Sequence, residues 1–271
     1  MADVIAVCNR KGGVGKSTIL YHLVRAAHVA GRRVLVIDVD PQGNLSGSLS
    51  AEPIDDDQVS MADVMSPKVR ASLRSVIVPS IWERVDVAPA AERTLDKVAE
   101  ELAQEPQGRG RRERRLRAAV AEIAADYDLV LIDTPPDVGI ITINALTAAD
   151  GVLAMAMPGK WSADGLARLL VSIEEERAHF NPTLRLLGTL INDIDRRTTH
   201  DDYWADQIKQ SLASRNPPVR VLEPDMVHTQ RLEDAIDYRL GLDELHIDPS
   251  GSRHFASIFS QYLTTLEGGL T

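Results

Sequence analysis

The chain has 271 residues, a formal net charge of −10 and a single cysteine, Cys8. With 44% hydrophobic and 26% charged residues it has the composition of a globular protein, long enough for one large or two small α/β domains. One cysteine excludes an intramolecular disulfide and a multi-cysteine metal site. No apolar run approaches the roughly 18 residues of a membrane span, and the first residues lack the pattern of a signal peptide, so we expect a cytoplasmic protein.

The order of apolar segments along the chain predicts the fold. Five apolar runs without polar alternation predict buried strands at residues 4–8, 34–38, 129–133, 152–157 and 186–192. Apolar residues at helical spacing lie between them, first in residues 19–27 and again in residues 166–173. Buried strands that alternate with helices indicate a mostly parallel sheet covered on both faces. We therefore predict a single doubly wound α/β domain over residues 1–271.

Two parts of this domain have a separate prediction. Residues 50–80 contain EPIDDD and two prolines, and we expect an irregular surface segment rather than a further domain. Residues 252–267 have apolar side chains at helical spacing, which predicts a C-terminal helix that docks on the core.

The stretch NRKGGVGKST, residues 9–18, lies between the first predicted strand and the first predicted helix. This is the position of a phosphate-binding loop, in which glycine N–H groups and the helix N-terminus surround phosphate oxygens. Lys16 would reach the β- and γ-phosphates, and the Ser17 hydroxyl would bind Mg²⁺. The loop departs from the strict pattern because Arg10 replaces its first glycine. The predicted nucleotide-binding residues here are Lys11, Gly12, Gly13, Val14, Gly15, Lys16, Ser17 and Thr18.

Acidic residues stand at the ends of the predicted strands at residues 34–38 and 129–133. DVDPQGN covers residues 38–44, and YDLVLIDTPP covers residues 127–136. In open α/β sheets, ligands collect at the carboxyl ends of the strands. Asp38, Asp40 and Asp133 would repel one another there without a cation, so we predict a metal site, with Asp38 and Asp133 as candidates, and a further acid that positions water.

Together with ITINALTAAD, these motifs resemble the deviant Walker A, A′ and B motifs of ParA-type partition ATPases, in the wider ParA/MinD group. The resemblance extends from the first strand to about residue 235 and implies a P-loop NTPase-like fold, ATP, Mg²⁺ and an ATP-bound homodimer. In this family Lys11 matches the signature lysine, which contacts phosphates bound by the partner subunit. The implied catalytic residues are Lys11, Lys16 and Asp40. By the same resemblance, Asp40 would orient the attacking water and Asp133 would hold Mg²⁺ through water.

The resemblance also implies weaker assignments around the base of the nucleotide. Asn192 and Pro224, with Asp225 beside it, fall where the family contacts adenine. A buried asparagine at a strand end and a loop proline are the structural alternatives for the first two.

The implied function is DNA partition, in which ATP-bound dimers bind DNA without sequence preference at the nucleoid. A centromere-binding protein of the ParB type would stimulate slow hydrolysis. One alternative is a MinD-like membrane-associated ATPase, but such proteins end in a basic helix, whereas residues 252–267 contain Arg253 as their one lysine or arginine. No membrane partner is therefore expected. A second alternative is a biosynthetic amidoligase, although those enzymes usually lack the DPQGN run.

Candidate DNA contacts come from local basic patches, because the overall charge repels phosphate. Arg196 and Arg197, in DRRT, match a loop that is often Asp-x-Arg-Thr in the family. Arg231 is the candidate replacement for a family arginine that this chain lacks after Pro224. The run at residues 109–117 has six arginines, of which Arg111, Arg112 and Arg115 are candidates; its alternative role is a solvated helix start.

With three residues before the first strand, we expect the short form without an operator-binding extension.

Overall fold

The structure, a computed structural model, describes residues 2–55, 57–90, 94–104, 111–246 and 248–270. The strands in these residues are β1 Asp3–Cys8, β2 Val34–Asp38, β3 Val78–Pro79, β4 Val85–Ala88, β5 Leu129–Asp133, β6 Gly151–Ala156 and β7 Arg185–Ile191. They form one sheet in the order β3-β4-β2-β5-β1-β6-β7. Every neighbouring pair is parallel except β3 with β4, which is antiparallel.

Helices cover both faces of this sheet. They are α1 Lys16–Val29, α2 Asn44–Leu49, α3 Met61–Met65, α4 Leu73–Val76, α5 Thr94–Gln104, α6 Arg115–Ala121, α7 Ile140–Ala148, α8 Lys160–His179, α9 Thr199–Ala213, α10 Arg231–Asp237 and α11 Pro249–Gly268. Strand β1 shows how two cores arise, since alternate side chains of a strand point to opposite faces. Val4, Ala6 and Cys8 pack with α3 to α9, whereas Ile5 and Val7 pack with α1, α2, α10 and α11.

The predicted α/β class is confirmed, because the sheet is mostly parallel, doubly wound and lined on both faces by apolar residues. Each of the five predicted strands is present, with its ends displaced by at most one residue. The sequence analysis missed β3 and β4 and described residues 50–80 as irregular, although α3, α4 and β3 lie there. These elements have two to five residues, too few for a periodic pattern to emerge. A capping box of Ser60 and Asp63 fixes the start of α3.

The C-terminal helix α11 packs against α1. Its buried apolar residues are Phe255, Ile258, Phe259, Tyr262, Leu263 and Leu266. These are the side chains whose helical spacing led to the prediction for residues 252–267, and they are part of the core on the α1 face of the sheet.

His22 is a polar residue at the centre of this helical layer. Its Nε2 lies 3.1 Å from the carbonyl oxygen of Leu232. Its ring lies 4.9 Å from the ring of Phe259 and 5.3 Å from that of Tyr21, centroid to centroid. Burial lowers the pKa of His22 from 6.5 to about 4, because the charged imidazolium would lose its hydration. The folded chain therefore holds His22 neutral.

We expect acid to weaken the fold through this residue. The unfolded chain takes up the His22 proton near pH 6.5 and the folded chain near pH 4, so stability is lost as the pH falls through this interval. Relative to His22→Phe, which keeps a ring but cannot titrate, the wild-type chain should lose up to about 3 kcal/mol of unfolding free energy. Urea unfolding at a series of pH values measures this. Parallel pH dependences for the two proteins would show that His22 is not held neutral.

Candidate functional site

The glycine-rich loop is fastened to the sheet by Asn9, at the end of β1. The Asn9 Nδ2 donates to the carbonyl oxygen of Met155 in β6 at 2.5 Å. The Asn9 Oδ1 accepts from the backbone N–H of Lys11, also at 2.5 Å. A buried amide thus fixes the direction in which the loop leaves the sheet, while the Lys11 side chain stays exposed.

Two glycines give the loop its shape. Gly13 has a φ of 73° and Gly15 a φ of 79°, in the left-handed region where a side chain is strained. Gly15 is also crowded, because a Cβ there would lie 2.5 Å from the Nδ2 of Asn192, whereas nothing lies within 4 Å of a Cβ at Gly13. Gly15 is the N-cap of α1 without a side-chain cap. The first N–H groups of α1 therefore remain available to an anion.

These residues open onto a cleft of about 430 Å³. Lys16 lies in it and is only 6% exposed, so its ammonium is directed into a partly dry site. The lining comes from the loop and α1, from the turn after β2 and α2, from Pro136 and from α10. The lining residues are Gly12, Gly13, Val14, Gly15, Lys16, Ser17, Thr18, Tyr21, Asp40, Gln42, Asn44, Leu45, Ser48, Pro136, Glu233 and Ile236.

Asp133, at the end of β5, lies beside the loop. Its Oδ2 accepts a hydrogen bond of 2.5 Å from the Ser17 hydroxyl. Its Oδ1 is buried and has no hydrogen-bond partner among the described residues. Burial, and then the nearby Asp38 carboxylate, raise the pKa of Asp133 to about 8. A buried carboxyl group of this kind is stable only when a cation neutralises it or when it is protonated.

Asp38 has a different environment. Its Oδ1 accepts from the backbone N–H of Asp40 at 3.0 Å. Its Oδ2 accepts from the backbone N–H and the hydroxyl of Ser46, at 2.9 Å and 2.7 Å. Burial raises the pKa of Asp38 to about 6, and these hydrogen bonds limit the rise. In this structure Asp38 therefore orders the turn that carries Asp40 into the cleft.

The residues fit a magnesium ion bound with a nucleotide. The Ser17 hydroxyl would supply an oxygen ligand, and the Asp133 Oδ1, which has no hydrogen-bond partner among the described residues, would hold the ion through water. Mg²⁺ commonly takes only one or two protein ligands beside phosphate and water. Within the described ranges there is no group of three or more His, Cys, Asp or Glu that could hold a metal ion by itself. Asp38, the third predicted metal residue, has both oxygens engaged by backbone and hydroxyl donors. A metal role for Asp38 stays a prediction.

The predicted adenine contacts have other partners in the structure. Asn192 donates from Nδ2 to the carbonyl oxygen of Val14 at 2.9 Å and so supports the loop from below. The carbonyl oxygen of Pro224 accepts from the Tyr262 hydroxyl. The Asp225 carboxylate pairs with cations on the β7 side of the molecule. Among the described residues, the lining of the cleft does not include these three predicted positions.

Several of the predicted DNA-contacting arginines are already paired with carboxylates. Arg196 binds Asp202 and Asp225, at 2.7 Å and 2.8 Å. Arg197 binds Asp195 at 2.8 Å.

Arg231 binds Asp248, in the turn before α11. In the arginine run, Arg112 binds Glu113 at 2.6 Å, Arg111 is exposed and Arg115 is half-buried. Arg109 lies outside the described residues. The structure thus leaves DNA contact by these groups a prediction, and it shows carboxylates that compete for several of them.

Several residues of this site were not predicted from the sequence. They are Asn9, Ser46, Glu233 and Ile236, together with the lining residues Tyr21, Leu45 and Ser48. Asn9 stands directly after the first strand, and a polar residue at that strand end was the available signal. Ser46, Glu233 and Ile236 had no local signal, because they reach the site through the packing of α2 and α10.

A glycine-rich loop between a buried strand and a helix, with a buried lysine and two acid-ended strands at the same edge, defines a P-loop nucleotide-binding protein. Residues 2–186 match the family described as AAA domain. The chain is 33% identical over 224 residues to sporulation initiation inhibitor protein Soj of Bacillus subtilis, covering 80% of this chain and 85% of that protein. It is 36% identical over 233 residues to chromosome partitioning protein ParA of Caulobacter vibrioides, covering 81% and 82%. The chain therefore belongs to the AAA-domain family of P-loop ATPases and, within it, to the ParA type.

A solved structure is also similar. It is cobyrinic acid a,c-diamide synthase from Mycobacterium smegmatis with a bound ATP analog and magnesium, which has a TM-score of 0.73 and 33% identity. The match covers 88% of this chain and 92% of that one. Separately, none of the helices in the described part of the chain combines the length and apolar character needed to cross a membrane.

We expect Gly15→Ala to destabilise the chain more than Gly13→Ala does. Both substitutions place a Cβ at positive φ, which costs on the order of 1–2 kcal/mol. Only the Gly15 Cβ collides with Asn192. Gly15→Ala should therefore lose about 1–3 kcal/mol more of its unfolding free energy, which is a typical overpacking penalty. Urea unfolding of both variants, and of Gly15→Ala combined with Asn192→Ala, measures the difference. Equal losses for the two single variants would contradict the crowding at Gly15.

Proposed function

We propose that this protein is a partition ATPase that binds Mg²⁺ and ATP, dimerises around the nucleotide and then binds DNA without sequence preference. Slow hydrolysis, stimulated by a centromere-binding partner of the ParB type, returns it to the monomer. The similarity to Soj and ParA supports the partition role. The similarity to a structure with a bound ATP analog and magnesium supports the two cofactors.

The observation that carries the proposal is the contrast between two lysines. Lys16 is 6% exposed and lies in the cleft, as expected of a lysine that binds its own nucleotide. Lys11 is exposed, does not line the cleft and has no ion-pair or side-chain hydrogen-bond partner within the described chain. The backbone of Lys11 is held by Asn9, and its ammonium has no partner among the described residues. Such a lysine suits a contact to phosphates in a second subunit.

Dimerisation also accounts for DNA binding by an acidic chain. With a net charge of −10, one subunit repels DNA unless its basic groups are concentrated on one surface. A dimer would present two copies of each basic patch to the same duplex, so the nucleotide would act as a switch for DNA affinity. Nucleoid association would follow from the ATP-bound state.

Retention on anionic lipid vesicles, without retention on DNA, would instead favour the MinD-like alternative.

One finding favours a different activity. The similar Mycobacterium smegmatis structure is of a diamide synthase, which implies the use of ATP in biosynthesis. ATP turnover by this chain in buffer that contains only Mg²⁺ and DNA would argue against a required carboxylic acid substrate. No turnover without such a substrate would support the biosynthetic alternative.

We expect Lys16→Ala and Asp40→Ala to abolish Mg²⁺-dependent ATP hydrolysis for different reasons. Lys16→Ala removes the cation in the cleft, so both nucleotide binding and turnover should be lost. Asp40→Ala should retain ATP binding and dimerisation but lower turnover about 100-fold or more, because it removes the group that positions water. Phosphate release and binding of a fluorescent ATP analogue separate the two. If Asp40→Ala fails to bind ATP, Asp40 belongs to the metal site rather than to the water.

Lys11→Ala should lose dimerisation while keeping most of the monomer's ATP affinity. The reason is that the Lys11 ammonium contributes nothing to the cleft of its own subunit. Light scattering with ATP and Mg²⁺ measures the dimer, in the Asp40→Ala background so that hydrolysis does not reset it. Arg10→Ala, an exposed cation one residue earlier, is the matched control. An ATP-bound dimer of Lys11→Ala as stable as that of the control would rule out the contact to the second subunit.

A further inference from the structure

The guanidinium of Arg196 is held from two sides by carboxylates of its own chain. Its Nη1 donates to Oδ1 of Asp202 at 2.7 Å, and its Nη2 donates to Oδ2 of Asp225 at 2.8 Å. A phosphate binds arginine most strongly through two parallel N–H groups of the same fork. Both terminal nitrogens already donate to carboxylates here, so a phosphate that binds through this pair of nitrogens competes with Asp202 and Asp225.

The two carboxylates differ in how easily they can be displaced. The Asp225 side chain is 3% exposed and also accepts from Lys209 Nζ at 2.7 Å. Separating a buried carboxylate from its cations is costly, because the charge would remain without hydration. The Asp202 side chain is 46% exposed, and exposed ion pairs are weak. Asp225 is therefore the anchor of Arg196, and Asp202 is its exchangeable partner.

The neighbouring Arg197 also pairs with a carboxylate, here a single one. Arg197 donates from Nε and Nη2 to the two oxygens of Asp195, each at 2.8 Å, in a bidentate pair. The Arg197 side chain is 81% exposed, so this pair is also open to exchange.

We propose that Asp202 and Asp195 mask Arg196 and Arg197 and compete with DNA phosphate, whereas Asp225 positions Arg196 for the phosphate that replaces Asp202. This inference rests on the proposed DNA binding. It makes DNA affinity a balance between carboxylate and phosphate on the same guanidinium groups. A chain with a net charge of −10 then binds DNA only when the high local concentration of DNA phosphates displaces the carboxylates from the two arginines.

Three variants with the same change of charge separate masking from a general field effect. Asp202→Asn removes the exchangeable partner, and Asp225→Asn removes the anchor. Asp206→Asn is the matched control: it lies on α9 four residues after Asp202, is exposed and has no ion-pair partner among the residues that the structure describes. Affinity for a random-sequence duplex is measured with ATP and Mg²⁺ over a series of salt concentrations. Light scattering and thermal unfolding check that each variant still dimerises and folds.

We expect Asp202→Asn to bind DNA about two- to fivefold more tightly than Asp206→Asn, the range that loss of one exposed ion pair allows. Its log–log salt dependence should match that of Asp206→Asn, because Arg196 contacts phosphate in the DNA complex of both proteins. Asp225→Asn should bind DNA at least about threefold more weakly than the control, although the two variants have the same charge. If Asp225→Asn does not fold, the comparison of Asp202→Asn with Asp206→Asn still decides.

The outcomes distinguish this inference from the function on which it rests. Wild-type binding to DNA with equal affinities for Asp202→Asn and Asp206→Asn overturns the masking and leaves the proposed function intact. DNA binding by Asp202→Asn when wild type and control bind poorly supports the masking directly. No DNA binding by any of the proteins, at low salt with ATP, overturns both.

Discussion

The parallel pairing of β5 with both β1 and β2 is the constraint on which the site depends. Asp133 is opposite Val7 of β1 on one side and opposite Asp38 of β2 on the other. Parallel strands end at the same edge, so the phosphate loop, the turn that carries Asp40 and the acid of β5 meet within one cleft. A shift of β5 by one residue would move Asp133 to the other face of the sheet and separate it from Ser17.

This arrangement buries two carboxyl groups side by side, and the fold treats them differently. Asp38 receives three hydrogen bonds from Asp40 and Ser46 and acts as a structural acceptor. Asp133 receives one from Ser17, and its second oxygen has no partner in the described part of the chain. Burial, and then the neighbouring Asp38 carboxylate, raise the pKa of Asp133, and the hydrogen bond from Ser17 limits the rise. The unsatisfied acid is therefore the one suited to a cation, and the satisfied acid shapes the loop beside it.

A similar difference in burial organises the basic surface. Asp225 and Asp202 bind the same guanidinium, but one is enclosed by the fold and the other faces water. The enclosed partner fixes where Arg196 points, and the exposed partner determines how available it is. An acidic protein can in this way carry arginines for a polyanion without presenting them permanently, because exposed ion pairs exchange readily.

The sequence by itself determined the parallel α/β class, the phosphate loop and the acids at the ends of β2 and β5, because these depend on local apolar patterning and on glycine and acid spacing. It did not determine β3, β4 or the helices within residues 50–80, which are too short for a period to be visible. Only the tertiary structure decided that Asn192 binds the carbonyl of Val14 in the phosphate loop and that Glu233 and Ile236 line the cleft. The same holds for the pairing of Asp225 with Arg196 and Lys209. The physical reason is distance along the chain: contacts between residues far apart in sequence arise when helices pack on the sheet, and no local pattern encodes them.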